Sequence, residues 1–178
     1  IVSWLQANGI SATAHLCLDS RIVSKGDVFF ACAGKHSNGH EYIEAAIAAG
    51  AAAVIQDAVA AKETGVPSLV VENLQKVLGE LAHEWYGRPS QKMTVIAVTG
   101  TNGKTSSVQW LAAMLNNSGV SCGTVGTLGV TLADGTNLGG ALTTPDVLSM
   151  HRCLAAIYHA GANLVALEAS SIGLEQGR

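Results

Sequence analysis

Apolar and polar positions in the second half of the chain follow alternating strand and helix patterns. The run Thr94–Val98 is β-branched and apolar, which predicts a central strand of a parallel sheet. It leads into a glycine-rich loop, and residues 105–115 then show helical periodicity. Residues 120–130 predict an interrupted strand region, residues 145–160 a helix and residues 164–167 a buried strand. This order predicts a doubly wound, mostly parallel α/β domain.

The first half of the chain shows a similar alternation with shorter elements. Four apolar runs bounded by turn-forming residues predict strands at 15–18, 27–33, 52–56 and 68–72. Apolar side chains at helical spacing predict helices at 41–49 and 74–85. A cluster of turn formers, Gly87-Arg-Pro-Ser90, separates the halves. We therefore predict two α/β domains, residues 1–90 and residues 91–178.

Composition excludes several classes of partner. The 178 residues carry a formal net charge of −3, whereas a nucleic-acid-binding domain shows a basic surface. The four cysteines are scattered and form no CxxC pair, which is typical of reduced thiols in a cytosolic protein. No run of about 18 apolar residues could span a membrane. We expect a cytoplasmic protein that binds neither nucleic acid nor membrane.

The loop after the predicted central strand has the residues of a phosphate-binding loop. It reads Gly100-Thr-Asn-Gly-Lys-Thr105, which is shorter than the usual G-x-x-x-x-G-K-[ST] because Val98 replaces the first glycine. Lys104 would reach the outer phosphates and neutralise the transferred one, and Thr105 would offer its hydroxyl to Mg²⁺. The predicted ATP-binding residues are Gly100, Thr101, Asn102, Gly103, Lys104, Thr105 and Ser106. The alternative is a glycine turn with a surface lysine.

Together with this loop, four further segments resemble the Mur ligase family. They are Leu18-Asp-Ser-Arg21, Gly26-Asp-Val-Phe-Phe30, Thr143-Thr-Pro-Asp146 and the segment from Glu168 to Arg178. The resemblance covers almost the whole chain. It implies a small α/β uridine-binding domain followed by part of a P-loop ATPase domain. The last two segments resemble the subgroup that adds the third amino acid to UDP-N-acetylmuramoyl-L-alanyl-D-glutamate.

The activity that this resemblance implies is ATP-dependent amide ligation in peptidoglycan synthesis, and hence in cell-wall biogenesis, cell shape and cell division. ATP would phosphorylate the γ-carboxylate of D-glutamate, and the amine of meso-diaminopimelate or lysine would attack the acyl phosphate. Such chemistry needs phosphate positioning and charge neutralisation more than a protein nucleophile. The implied cofactors are ATP and Mg²⁺, and the implied oligomeric state is a monomer.

Site residues are carried over from the same resemblance. Thr105 and Glu168 are the implied metal ligands, and Glu168 also follows a predicted strand at the edge where parallel sheets bind ligands. The implied uridine contacts are Leu18 and Ser20, and the residues implied beside the diphosphate are Lys35, His36 and Ser37. The residues implied for the muramoyl dipeptide are Thr143, Thr144, Ser170, Gln176 and Arg178.

Several of these residues have structural alternatives. Thr144 is placed to cap a helix with Pro145 at its first position, and the same helix end could bind a substrate carboxylate. Asp19 and Arg21 could pair simply to shape a turn, and Glu168 could cap the turn after its strand. Ser170, Gln176 and Arg178 could belong to an ordinary polar loop.

The chain also departs from the family pattern. Ile172 stands where the family usually has histidine after the paired serines. Family members are far longer, and this chain lacks the rest of the ATPase domain, the carbamylated lysine and the C-terminal domain that selects the amino acid. We therefore expect both ends to be truncated and the chain alone to have no ligase activity. Two alternatives stay open: a nucleotide-binding regulatory module, and another amide ligase of the family such as a folate polyglutamate enzyme.

Overall fold

The computed structural model describes residues 1–33, 38–139 and 143–177. The chain divides into two compact units, Ile1–Trp85 and Tyr86–Arg178. This division lies a few residues before the boundary predicted at residue 90. Each unit is an α/β structure built on its own four-stranded sheet, which confirms the predicted fold class.

The first unit contains a parallel sheet in which the strands are ordered as they occur along the chain. Its strands are β1 (Leu16–Cys17), β2 (Val28–Ala31), β3 (Ala53–Asp57) and β4 (Ser68–Val71). Its helices are α1 (Val2–Ala7), α2 (Ile43–Ala48) and α3 (Leu74–Trp85). The sequence prediction missed α1, and the helix predicted from residue 41 begins as a 3-10 turn, Gly39–Tyr42, before α2.

Burial in the first unit explains why its short strands form. All residues of β2 and β3 are buried, and Phe29 of β2 packs in one cluster with Ile43 of α2. The buried Asp27 links the segments around β1 and β2, because its carboxylate accepts from the amides of His15 and Ser24, each at 2.9 Å. These contacts fix the loop that follows β1.

The second unit has strand order β5-β8-β6-β7, with β8 between β5 and β6. Its strands are β5 (Thr94–Val98), β6 (Cys122–Gly126), β7 (Gly129–Thr131) and β8 (Leu164–Glu168). Its helices are α4 (Lys104–Asn117), α5 (Val147–His159) and α6 (Ser171–Glu175). The first three strands in this order are parallel, and β7 forms an antiparallel hairpin with β6. This arrangement confirms the predicted mostly parallel sheet.

Thr94–Val98 forms the predicted strand, but among the described residues it does not lie at the centre of its sheet. Within the described residues β5 lies at the edge of the sheet and pairs only with β8, and Val95 and Ala97 are exposed. The interior positions belong to β8 and β6, and in β8 Val165 and Ala166 are fully buried. A β-branched apolar run indicates a strand, but it does not determine how many neighbours that strand has. The short helix α6 was also missed.

The described helices have at most 14 residues, the length of α4. In the parts of the chain that the structure describes, none of them has both the length and the apolar character to cross a membrane.

Candidate nucleotide and metal site

The loop between β5 and α4 has a backbone that favours glycine at two positions. Gly100 has φ 143° and Gly103 has φ 79°, both in the region that other residues rarely adopt. A Cβ at Gly103 would meet no atom within 4 Å, so the backbone angle rather than lack of space favours glycine there. Gly103 is the N-cap of α4. The free amides and the dipole of a helix N-terminus favour a bound anion.

Lys104 is the first residue of α4, and its side chain turns back over the loop. Its Nζ donates a hydrogen bond to the carbonyl oxygen of Gly100 at 2.8 Å. The ammonium group is therefore held against the loop, where it can add positive charge to that of the helix end.

Glu168 lies beside the loop because of the strand order. It is the last residue of β8, it pairs in register with Val98 of β5, and it is only 1% exposed. The hydroxyl of Thr105 lies 3.0 Å from each of its carboxylate oxygens. The structure thus brings together the two residues predicted to hold a metal ion, although their role as ligands stays a prediction.

The surroundings of Glu168 leave room for its carboxylate only because residue 126 is glycine. A Cβ on Gly126 would come within 2.7 Å of Glu168 Cδ. Hydroxyl and carboxylate oxygens are the ligands that Mg²⁺ prefers, and this ion commonly adds waters and substrate phosphates to one or two protein ligands. The described residues contain no group of three or more His, Cys, Asp or Glu side chains that could hold a metal ion. Thr105 and Glu168 supply one hydroxyl and one carboxylate, a donor set that fits Mg²⁺ bound together with a nucleotide.

Thr127 is a neighbour of Glu168 that the sequence prediction missed. Its amide donates to Oε1 at 2.7 Å, and its hydroxyl donates to Oε2 at 3.2 Å. The same hydroxyl lies 3.0 Å from Oγ1 of Thr143. The available signal was a Gly-Thr pair at the end of a buried strand, but its meaning depends on β6 pairing with β8.

These groups surround a cavity of about 340 Å³. Its lining combines the phosphate loop with Glu168, Thr127 and Thr143. The lining residues are Thr101, Asn102, Gly103, Lys104, Thr105, Ser106, Thr127, Thr143 and Glu168.

The predicted capping role of Thr144 is wrong. The N-cap of α5 is Asp146, whose carboxylate accepts from the amides of Leu148 and Ser149, each at 3.0 Å. Both residue types are good caps, but the hydroxyl of Thr144 is engaged elsewhere. It donates to the carbonyl oxygen of Glu168 and accepts from the amide of Ser170, both at 3.1 Å. Pro145 accordingly precedes the helix. The buried Thr144 supports the end of β8 and is absent from the cavity lining.

The remaining residues predicted for the dipeptide have different surroundings. Ser170 caps α6, because its hydroxyl accepts from the amide of Gly173 at 3.0 Å. Gln176 follows this helix and is exposed. Arg178 lies outside the described residues, as do Lys35, His36 and Ser37.

A second cavity, of about 490 Å³, lies in the first unit. Both predicted uridine contacts, Leu18 and Ser20, line it. The other lining residues are Asp19, Arg21, Phe30, Cys32, Gly39 and Tyr42. The pKa of Asp19 is below its usual value, chiefly because the Arg21 side chain donates to it, with Nη2–Oδ2 at 2.6 Å. Asp19 also accepts from the Arg21 amide at 2.9 Å and caps a 3-10 turn, so the pair shapes this edge of the cavity.

Two family models match the chain. Residues 98–178 match the Mur ligase middle domain, and residues 13–86 match the Mur ligase family, catalytic domain. The whole chain is 41% identical to a UDP-N-acetylmuramoyl-L-alanyl-D-glutamate–2,6-diaminopimelate ligase of Janthinobacterium sp. (strain Marseille), covering 36% of that protein. A protein of the same name from Xylella fastidiosa (strain 9a5c) is 47% identical over 92% of the chain, which covers 33% of it.

Solved structures agree with these matches. A structure of a UDP-N-acetylmuramoyl-L-alanyl-D-glutamate–2,6-diaminopimelate ligase has a TM-score of 0.65 and 32% identity, over 92% of the chain and 33% of that protein. MurF ligase from Thermotoga maritima, in complex with ADP, has a TM-score of 0.63 and 25% identity, over 90% of the chain and 33% of that protein. The chain thus spans about a third of the length of these relatives. Since matches to both its units agree, the chain belongs to the Mur ligase family.

Proposed function

We propose that this chain is the substrate-binding and nucleotide-binding part of an ATP-dependent ligase. The ligase would add the third amino acid to UDP-N-acetylmuramoyl-L-alanyl-D-glutamate in peptidoglycan synthesis. The observation that carries the proposal is the position of Glu168, whose buried carboxylate lies 3.0 Å from Thr105 at the start of the phosphate-loop helix. The names of the relatives support the substrate, and they favour 2,6-diaminopimelate as the incoming amino acid.

The proposed reaction has two steps. A γ-carboxylate oxygen of D-glutamate attacks the γ-phosphorus of ATP, and the bond to the bridging oxygen breaks, giving an acyl phosphate and ADP. The amine nitrogen of the amino acid then attacks the acyl carbon. The tetrahedral intermediate expels inorganic phosphate, the nitrogen loses a proton, and an amide remains.

The residues of the second unit would bind and position the phosphates. Lys104 would exchange the carbonyl oxygen of Gly100 for a phosphate oxygen and neutralise part of its charge. Thr105 and Glu168 would hold Mg²⁺, which when bound supplies charge neutralisation at the transferred phosphate. The N-terminus of α4 would contribute backbone amides from a fixed position.

The first unit would bind the UDP group in the cavity beside Leu18 and Ser20. The four cysteines form no disulfide, which favours a reducing compartment such as the cytoplasm. Monomeric action stays an expectation from the family resemblance, and so does the contribution of Lys35, His36, Ser37 and Arg178 to substrate binding.

Calorimetric titration of the 178-residue chain tests the proposal. We expect it to bind Mg²⁺–ATP and the UDP-muramoyl dipeptide. Lys104→Ala should lose ATP affinity and keep the UDP-muramoyl dipeptide. The matched control is Lys76→Ala, which removes an exposed lysine of α3 and should change neither. A wild-type chain that binds ATP but ignores the UDP-muramoyl dipeptide would instead support a regulatory module.

A further inference from the structure

A series of side-chain contacts along the cavity lining leads from the phosphate loop to Thr143. Thr105 contacts Glu168, Glu168 contacts Thr127, and the hydroxyl of Thr127 lies 3.0 Å from that of Thr143. We call these four residues the polar network. It joins the residues predicted to hold the metal ion to a residue predicted to contact the dipeptide.

The directions of the hydrogen bonds in the polar network follow from its donors and acceptors. An ionised carboxylate only accepts, and a threonine hydroxyl carries a single proton. The Thr127 hydroxyl has two acceptors within reach, Oε2 of Glu168 at 3.2 Å and Oγ1 of Thr143 at 3.0 Å. A hydrogen bond to a carboxylate is the stronger of the two, so the Thr127 proton is assigned to Glu168. The Thr127 oxygen must then accept the proton of Thr143 in the contact between the two hydroxyls. Thr143 consequently directs its only proton to Thr127, and its oxygen keeps a lone pair that can accept a hydrogen bond.

Thr127 also contacts both carboxylate oxygens of Glu168, independently of Thr105. Its amide contacts Oε1 and its hydroxyl contacts Oε2, so each carboxylate oxygen has one partner from Thr127. Metal binding would replace the hydrogen bonds from Thr105, since that hydroxyl would then face the ion. The contacts from Thr127 can persist. Gly126 allows this close approach, because a Cβ there would overlap the Glu168 side chain.

We propose that Thr127 is a positioning residue, which orients Glu168 towards Mg²⁺ and orients Thr143 to accept a hydrogen bond from a substrate N–H group. This inference rests on the proposed function and deepens it. It assigns an amide N–H of the dipeptide to Thr143. A substrate carboxylate at this hydroxyl would compete with Thr127 for the same proton.

Thr127→Val tests the inference, because valine keeps the shape and the backbone amide but removes the hydroxyl. We expect the magnesium-dependent gain in ATP affinity to fall about 10- to 100-fold, the usual cost of losing an outer partner of a metal ligand. ATP affinity without magnesium should not change, because Lys104 and the loop amides remain. Calorimetric titrations with and without Mg²⁺ separate the two affinities.

Two companion variants separate positioning from folding. Thr127→Ser keeps the hydroxyl and should retain the magnesium dependence. Thr124→Val removes a hydroxyl from β6, the strand that precedes Thr127. The contact from Gln109 to that hydroxyl is long, at 3.5 Å, so this variant should behave as wild type. If Thr127→Val does not fold, as judged by circular dichroism, Thr127→Ala replaces it in the same comparison.

A second measurement follows Thr143. In Thr127→Val its proton is no longer directed inward, so affinity for the UDP-muramoyl dipeptide should fall about three- to tenfold, the value of one hydrogen bond. Equal losses of ATP affinity with and without magnesium in Thr127→Val would indicate a merely structural role and overturn the inference. Unchanged magnesium dependence in Thr127→Val would also overturn it and leave the proposed function intact. A wild-type chain without magnesium-dependent ATP binding would contradict the proposed function itself.

Discussion

Two buried carboxylates stand at corresponding places in the two units, and they have different partners. Asp57 ends β3 and is 7% exposed, whereas Glu168 ends β8 and is 1% exposed. Asp57 accepts from two main-chain amides, those of Val59 at 3.4 Å and Leu74 at 3.2 Å. Glu168 accepts from the hydroxyls of Thr105 and Thr127 and from one amide.

This difference separates a structural acid from a candidate ligand. Main-chain amides are fixed by the fold, so Asp57 fixes the start of a 3-10 turn and of α3. Hydroxyl groups can rotate and exchange a carboxylate for an ion. Burial at a strand end is common to both acids and therefore does not identify a site. What distinguishes a candidate site is the kind of hydrogen-bond donor that contacts the acid.

Glu168→Gln tests the comparison most strongly. Glutamine keeps the size of the side chain but removes its charge and turns an NH₂ group towards donors. We expect the magnesium-dependent gain in ATP affinity to fall by about 100-fold or more, because loss of a direct ligand should cost at least as much as loss of an outer partner. Titration with and without Mg²⁺ measures it. Asp57→Ala is the matched control at the other strand end, and wild-type magnesium dependence in Glu168→Gln would contradict the assignment.

Gly126→Ala tests whether the space beside Glu168 is required. The added methyl would come within 2.7 Å of Glu168 Cδ, so the carboxylate must move. We expect a loss of about 1–3 kcal/mol in the free energy of unfolding, as for other overpacked sites, together with weaker magnesium dependence. Gly65→Ala is the control, since its Cβ would meet nothing within 4 Å. Urea denaturation and titration give the two results, and a variant as stable as wild type would count against the clash.

Strand-end position predicted much of this site from the sequence. A glycine loop after Val98 and an acid after Leu167 are local signals, and parallel strands bring them to one edge. Gly126 and Thr127 were missed because their role depends on β6 pairing with β8, which no local pattern encodes. Nor does a local pattern show that β8, rather than β5, has a neighbour on each side in the described sheet.

The helix cap shows a second limit of local reasoning. Thr144 and Asp146 are both suitable caps by residue type, and the sequence alone favoured the threonine. The distant Glu168 and Ser170 engage Thr144, so the cap is left to Asp146. Both α/β units were predictable because they follow from periodicity, which is local.

Asp57→Ala tests the structural half of the comparison. It removes the acceptor for the amides of Val59 and Leu74, and loss of such a cap costs about 1 kcal/mol. We expect that decrease in the free energy of unfolding and no change in magnesium-dependent ATP affinity. Urea denaturation monitored by circular dichroism measures the stability, with the exposed Glu63→Gln as control. A loss of ATP affinity in Asp57→Ala would remove the distinction between the two acids.

The smallest expected effect concerns Cys32, which reports the charge of Asp57. Burial raises the pKa of the Cys32 thiol to about 12, and the negative charge of Asp57 acts in the same direction. Because this pKa is raised in the folded state, the thiol's contribution to stability is complete below its unfolded pKa, about 8.5, and is lost as pH rises towards 12. Alkylation of native Cys32 should therefore be slow at neutral pH.

Asp57→Ala should lower the pKa of Cys32 by removing the smaller of these two causes. We expect the alkylation rate at fixed alkaline pH to rise by less than about tenfold, which corresponds to one pKa unit. Cys122 in the other unit is the internal control, since burial is the first cause of its raised pKa and Asp57 is not among the causes. Peptide mass spectrometry after timed iodoacetamide treatment measures both thiols in one sample. Equal acceleration at Cys32 and Cys122 would indicate general loosening of the fold, whereas acceleration at Cys32 alone would show that Asp57 raises the pKa of this thiol.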